Sequence, residues 1–414
     1  MRKILIILFI LLLTHPLLGT FFLNRYWVPE LVNDTRDLRQ HDSIGISLQP
    51  FLMHTNEANP IKNIKNQYIY ELDGFLMLSN LQYNEILNNR SAITMPSEWI
   101  ANNYNVPIRL NGNIYAQGIA WNMTYVVMPW CLIGWSSAIG PMTGAINIQP
   151  EEEPEKYKLK ESMLLQTIHI YNRLSHDLGF KQNYTRFINI ADQDFYITFY
   201  IDRDYFFYMR KIKFTGQIGG ILPTAHTVDI NNPADIPGGI NGHNALYAAC
   251  YLDLLLKEDI SFNLTGKAMY VLPKDTEIRL RLWTESLRFG GLATSAQINP
   301  GIIYNFSPSL RIDGLRHGLG MQVNYSTWGQ RTSNYAFSEN LPITDNTKQN
   351  MESISSWNQE HCNITLFYDF AREAAYDPAC QKILSFSADI PIDLLFANNS
   401  GRSLALSLIF SCNF

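Results

Sequence analysis

Apolar residues recur at every second position through long stretches of this chain. Across 260–272, Ile260, Phe262, Leu264, Gly266, Ala268, Tyr270 and Leu272 alternate with Ser261, Asn263, Thr265 and Lys267. Across 403–414, Leu404, Leu406, Leu408, Phe410, Cys412 and Phe414 alternate with Ser403, Ala405, Ser407, Ile409, Ser411 and Asn413. Successive side chains of a strand point to opposite faces of a sheet, so each stretch predicts a strand with one greasy and one wettable face. The same pattern predicts strands over 43–54, 107–118, 120–136, 189–201, 205–222, 242–256, 290–306, 317–330, 360–370 and 381–394. The closing stretch exceeds the ~5–6 residues of an ordinary strand and is near the ~9–11 of a tilted strand crossing a bilayer.

Twelve strands place both chain ends on one side. The connections then sort by length. Turns near 118–120, 202–204, 257–259, 307–316 and 371–379 form a short set. Inserts at 55–106, 137–187, 223–241, 273–289 and 331–358 form a long set on the other side; 397–401 is short where long is allowed. A soluble sandwich has no reason to alternate in this way. One helix is expected at 156–178, where Leu164, Ile168, Tyr171, Leu174 and Leu178 recur at helical spacing behind acid at 151–155 and before Gly179. It is amphipathic, so it does not span lipid and lies against protein or inside a lumen. The expected fold is therefore all-β: a closed antiparallel transmembrane β-barrel of twelve strands, or fourteen if 68–80 or 276–288 pair, with a helical insert in a long extracellular or luminal loop.

Composition sharpens this picture. Charged residues are only 17% and aromatics 13% of the 414 residues, against ~25% charged in a soluble domain. Mean hydropathy is −0.10. No apolar run beyond the N-terminus approaches the ~20 residues of a spanning helix. A net charge of −5 argues against nucleic acid as the main partner. At the start, Arg2 and Lys3 precede an apolar run over 4–13 that His15 and Pro16 break, the layout of a signal peptide. The expected organisation is a signal peptide over 1–20, a periplasmic lead-in over 21–42, and a barrel over 43–414. The five cysteines, Cys131, Cys250, Cys362, Cys380 and Cys412, show no metal-like spacing; Cys250, Cys362 and Cys412, which fall on apolar faces, read as small hydrophobes. Trp130 and Trp135 suit an interfacial belt and equally a core.

The charge-free final strand ending on Phe414, with Phe410 on the same face, resembles the closing strand of Gram-negative outer-membrane β-barrels. In that family a terminal aromatic is understood to be read by the assembly machinery, which would make Phe410 and Phe414 an assembly signal. Residues 219–225, GGILPTA, look like the G-x-L-P-T-G of several outer-membrane channel families, with Ala225 in place of the last glycine. The resemblance implies an outer-membrane protein with periplasmic termini, surrounded by lipid, acting as a passive channel or small-solute transporter through a partly plugged lumen. The inserts at 55–106 and 156–178 are the expected plugs. The lumen-lining candidates are Arg109, Lys211, Lys213, Lys267, Asp253, His361, Asp369, Asp389 and Asp393, which carry both signs. Alternative readings are a surface adhesin with a closed lumen and, further off, an outer-membrane lipase. For the last, His243 in the sequence NGHN has no adjacent serine or supporting acid. No phosphate loop, nucleotide fingerprint or GxSxG is present, so no catalytic residue, cofactor or metal is assigned.

Overall fold

The computed structural model describes residues 43–58, 105–150, 184–280, 292–337, 345–370, 382–397 and 401–413, apart from a few positions within these stretches, with three short strand segments between 61 and 77. The expected signal peptide, the lead-in and the helix at 156–178 lie outside the described residues.

Twelve long strands close an antiparallel barrel. In chain order they are β1 (Ile44–Ala58), β2 (Asn105–Met128), β3 (Cys131–Pro150), β4 (Gln193–Phe206), β5 (Met209–Leu222) and β6 (Ala245–Lys257). They continue with β7 (Ile260–Val271), β8 (Ile303–Arg316), β9 (Leu319–Gln330), β10 (Trp357–Asp369), β11 (Lys382–Ile392) and β12 (Gly401–Asn413). Each strand pairs with its sequence neighbours, and β1 pairs with β12 to close the ring, Gly45 standing opposite Asn413 and Leu52 opposite Leu406. Closure leaves no strand edge to lipid, which has no water to satisfy one.

The outside of the barrel is apolar. Leu48, Ile119, Met123, Ile197, Phe214, Ile218, Phe306, Val323, Ile364, Phe386, Leu404 and Phe410 are all exposed, while Ser403, Ala405, Ser407 and Ile409 of β12 are buried. A belt of this size on a monomer marks a surface that meets lipid. Trp130, in the turn after β2, stacks on Phe199 at 6.1 Å; Trp135 stacks on Phe195 at 6.4 Å, and its indole donates to Gln193 at 2.7 Å.

Three expected turns are absent, each for a local reason. β2 runs straight through Gly118, and the hairpin turn comes ten residues later, between Met128 and Cys131. Gly118 and Gly140 have no Cβ because the two backbones approach closely there; a Cβ on either would meet the partner strand's carbonyl, a recognised use of glycine within a strand. The polar triplet Asp202, Arg203 and Asp204 is strand, paired with Lys213, Ile212 and Lys211. Lys211 reaches the Asp202 carboxylate at 2.7 Å. The stretch expected as one strand over 290–306 is two. Leu292–Asn299 pairs with Lys274–Leu280 and Asn334–Phe337 in a separate three-stranded sheet. The chain breaks at Pro300 and Gly301 and re-enters the barrel as β8, which runs through the turn expected at 307–316. The count of twelve therefore stands: 274–280 pairs, but outside the barrel, and Gly74–Met77 only extends the outer end of β2. Within the long connection at 331–358 lies an unexpected helix, α1 (Asp345–Ser355).

Candidate functional site: the barrel lumen

Inward-facing side chains surround a cavity of about 310 Å³. Most of its wall is hydroxyl and amide: Gln49 on β1, Thr215 and Gln217 on β5, Asn263 and Thr265 on β7, Asn324 on β9, Asn363 on β10 and Ser387 on β11 all line it. Strand alternation puts them there, since each shares the parity of residues buried inside the ring. They are knitted by short bonds. Gln49 donates to Ser407 at 3.0 Å, Asn363 to Ser387 at 2.8 Å, and Tyr251 to Gln217 at 2.6 Å.

The interior is not uniformly polar. Val126, Leu132, Tyr196, Ile221, Tyr247, Met269, Val271 and Ile303 form a buried cluster, with Trp328 packed against it. Tyr196, Tyr247, Ile221 and Trp328 of this group also line the cavity. A sequence reading that assigned apolar residues to lipid had no signal for these, because they sit at isolated positions on wettable faces.

The loop after β5 folds inward over the cavity. The chain turns at residues 222–225: Thr224 Oγ1 donates to the Ala191 carbonyl at 2.8 Å and the Ala225 N–H to Asp192 at 3.0 Å. The GGILPTA resemblance thus falls on the elbow that sends the chain into the barrel. Two wall residues, Asn189 near the end of the strand Tyr184–Ile190 and Asp192 in the short break before β4, hold the rest of the loop in place. Asp192 also accepts from the Ile240 N–H at 2.7 Å, and Asn189 both accepts from the His226 N–H at 3.1 Å and donates to the Gly238 carbonyl at 3.0 Å. Ala234, Asp235 and Ile236 are buried. A Cβ on Gly144 of β3 would strike the Ala234 carbonyl and Ile236. Asp235 anchors the loop to itself, accepting from the Asp229 N–H at 2.7 Å and lying 2.8 Å from His226 Nε2. Arg279 of the outer sheet donates to the Ile230 carbonyl at 2.8 Å. Gly238 and Gly239 present bare backbone to the cavity. Composition alone, rich in Asn, Pro and Gly, had suggested only an outer loop.

His243 closes the loop. It is 4% exposed, with Nδ1 at 2.9 Å from the Leu272 carbonyl. Burial pushes its pKa below the ordinary histidine value, with Lys274 acting in the same sense and the Leu272 bond against it. It is a buried anchor, its Nδ1 committed to backbone rather than to a serine hydroxyl.

The charged candidates fall into several groups. Asp253, Lys267, His361 and Asp389 line the cavity. Lys267 lies 3.9 Å from the centre of the Tyr247 ring, and the Tyr247 hydroxyl donates to Asp194 at 2.8 Å. His361 Nδ1 stands 3.2 Å from Asp389. Lys211 and Lys213 share the inward parity of Thr215, nearer the short-turn end; Lys213 lies over the Tyr200 ring at 5.4 Å and opposite Asp253 in register. Asp369 ends β10 at that same end, half-buried. Arg109 is on β2 opposite Gln149, with its side chain outside the described residues, as is Asp393. Sequence reasoning missed Arg311, which is 7% exposed, holds Asp313 at 2.8 Å and lies over the Phe367 ring at 3.8 Å; it lines the same cavity. Its place at an expected turn hid it. Among the described residues no three His, Cys, Asp or Glu side chains are grouped to hold a metal ion. Phe410 is exposed on the outer face of β12; Phe414 lies outside the described residues.

No family model matches the chain, and no curated protein matches it. Among solved structures, an outer membrane channel from Pseudomonas putida F1 aligns over 93% of this chain and 100% of its own, at 8% identity and a TM-score of 0.51. OprD from Pseudomonas aeruginosa and a Pseudomonas aeruginosa FadL homologue align over 92% and 90% of this chain and 95% and 88% of their own, both at 8% identity and TM-scores of 0.27. The fold is that of an outer-membrane β-barrel, and the exposed apolar belt places the strands in a bilayer.

Proposed function

We propose that this barrel is a passive outer-membrane channel for small solutes, its lumen narrowed by the loop over 223–244. The observation that carries this reading is the cavity inside the ring: a hydrogen-bonded hydroxyl and amide wall has no reason to exist in a barrel filled with a packed core. A folded-in loop held by two wall side chains, Asp192 and Asn189, supports a lumen that is constricted rather than filled. The channel reading also agrees with what the Pseudomonas putida F1 neighbour is called. The insert at 156–178 remains a proposed second constriction. Phe410 and Phe414 are proposed as the signal read by the assembly machinery.

Reconstitution of the purified protein in planar lipid tests this. The expected result is discrete current steps that grow when residues 226–240 are replaced by a short flexible linker. Silent bilayers with correctly folded protein, for both forms, would instead favour a closed surface barrel. Deleting 156–178 gives a separate test of that segment, with larger steps expected.

A further inference from the structure

We infer that the lumen admits small cations in preference to anions, with Asp253 and Asp389 setting the preference; this deepens the channel reading and rests on it. Among the described residues that line the cavity, Asp192, Asp194, Asp253 and Asp389 carry carboxylates. Lys267 and Arg311 are the permanent cations of the same lining, and His361 is charged only when protonated. Acid exceeds base even with His361 counted as charged. The two permanent cations are also the more shielded charges. Arg311 is 7% exposed, lies over the Phe367 ring at 3.8 Å and holds Asp313, a carboxylate outside the lining, at 2.8 Å. Lys267 lies over the Tyr247 ring at 3.9 Å, and the hydroxyl of that ring donates to Asp194 at 2.8 Å. Asp313 and Asp194 thus answer the two cations.

The remaining carboxylates differ in what they can do. Asp192 is spent on the backbone of the inward loop. Asp389 is open to the lumen: its side chain is 35% exposed, while that of His361, 3.2 Å away, is 6% exposed. Asp253 lies toward the short-turn end, where the lysines are outnumbered by acid. Lys213 stands between Asp202 and Asp253 in register, and Lys211 lies 2.7 Å from Asp202 and 4.0 Å from Asp204. An anion would need donors, and those of the inward loop are turned into the protein. The Ala225 and Ile240 N–H groups bond to Asp192, that of His226 to Asn189 and that of Gly238 to the His226 carbonyl at 2.9 Å. Low-dielectric walls focus an excess of one sign onto the space between them, and carboxylates lining a pore favour cations.

The experiment uses the full-length protein in planar lipid, with a steep potassium chloride gradient across the bilayer and the reversal potential as the readout. Potassium should be roughly tenfold more permeant than chloride, the low end of what a focused field achieves. Asp253→Asn and Asp389→Asn should each lower that ratio about threefold, and the double variant should bring it near unity. Asp389→Glu, which keeps the charge, should keep the ratio, a result that a merely structural role would not require. Raising the ionic strength on both sides should weaken the preference by screening. The unaltered protein decides the sign by itself, whichever variants fold. A reversal potential at zero, or of the sign set by chloride, overturns the cation preference and leaves the channel standing. A potassium preference that survives the double variant unchanged overturns the assignment to Asp253 and Asp389. Absence of any current sinks both readings.

Discussion

Asp192 is the side chain on which the inward loop depends most. It accepts backbone N–H groups from both ends of that loop, Ala225 and Ile240, and hydrogen bonds to a charged group contribute ~1.5–3 kcal/mol. Asp192→Ala should therefore increase protease cleavage within 226–240 by roughly ten- to a hundredfold, with unit conductance rising in parallel; unchanged cleavage would show that the loop is held by other contacts. Gly144→Leu approaches the same loop from the other wall. Its side chain has no room beside the Ala234 carbonyl and Ile236, so the loop rather than β3 should give way. His243 adds a pH dependence whose sign comes from its burial. Its folded pKa lies below the ordinary value, which is about 6.5. The released loop thus binds a proton that the docked loop refuses. Docking is at full strength above about pH 6.5 and weakens as pH falls through that value toward the lower folded one. Cleavage in the loop should accelerate on acidification through this window, and His243→Gln should flatten the response.

At the scale of elements, alternation was legible wherever lipid lies on one side and a wet wall on the other, as on β7 and β12. It misled where a strand leaves the membrane. On β2 the odd positions from Asn113 to Tyr125 face outward. They are apolar at Ile119, Met123 and Tyr125 but polar at Asn113 and Gln117. Inside, Ile114 and Ala116 are 2% exposed, in a region where the loop meets the neighbouring strand at Gly144. The apolar row changes side near Gly118 while the strand continues, and a reader of the pattern sees a turn. Acid and base within a strand end, as in Asp202, Arg203 and Asp204, mimic a turn for a related reason: beyond the bilayer, charged cross-strand pairs are allowed. The lumen candidates obeyed the same logic. Those within clean strands, such as Asp253, Lys267 and Asp389, line the cavity. Arg311 was hidden by a misplaced turn, and the loop at 223–244 by having no periodicity at all. Orientation itself is testable at this scale. Ile197→Arg, on the exposed face of β4, should cost ~2–4 kcal/mol of folding into lipid. Ala405→Ser, facing the cavity, should stay within about 0.5 kcal/mol. Equal effects in a denaturant titration in lipid vesicles would contradict the assignment of faces.

For the whole molecule, everything rests on a ring of twelve strands with lipid outside and a wet cavity within. Spin labels placed one at a time along β12, from Ser403 to Phe410, test this most directly, in protein with its five cysteines replaced by serine and reconstituted in vesicles. Labels at positions 404, 406, 408 and 410 should be relaxed by oxygen dissolved in the bilayer, and labels at 403, 405, 407 and 409 should be shielded from it, a period of two along the strand. Uniform accessibility, or oxygen reaching the serine positions in place of the leucines, would contradict the barrel as described.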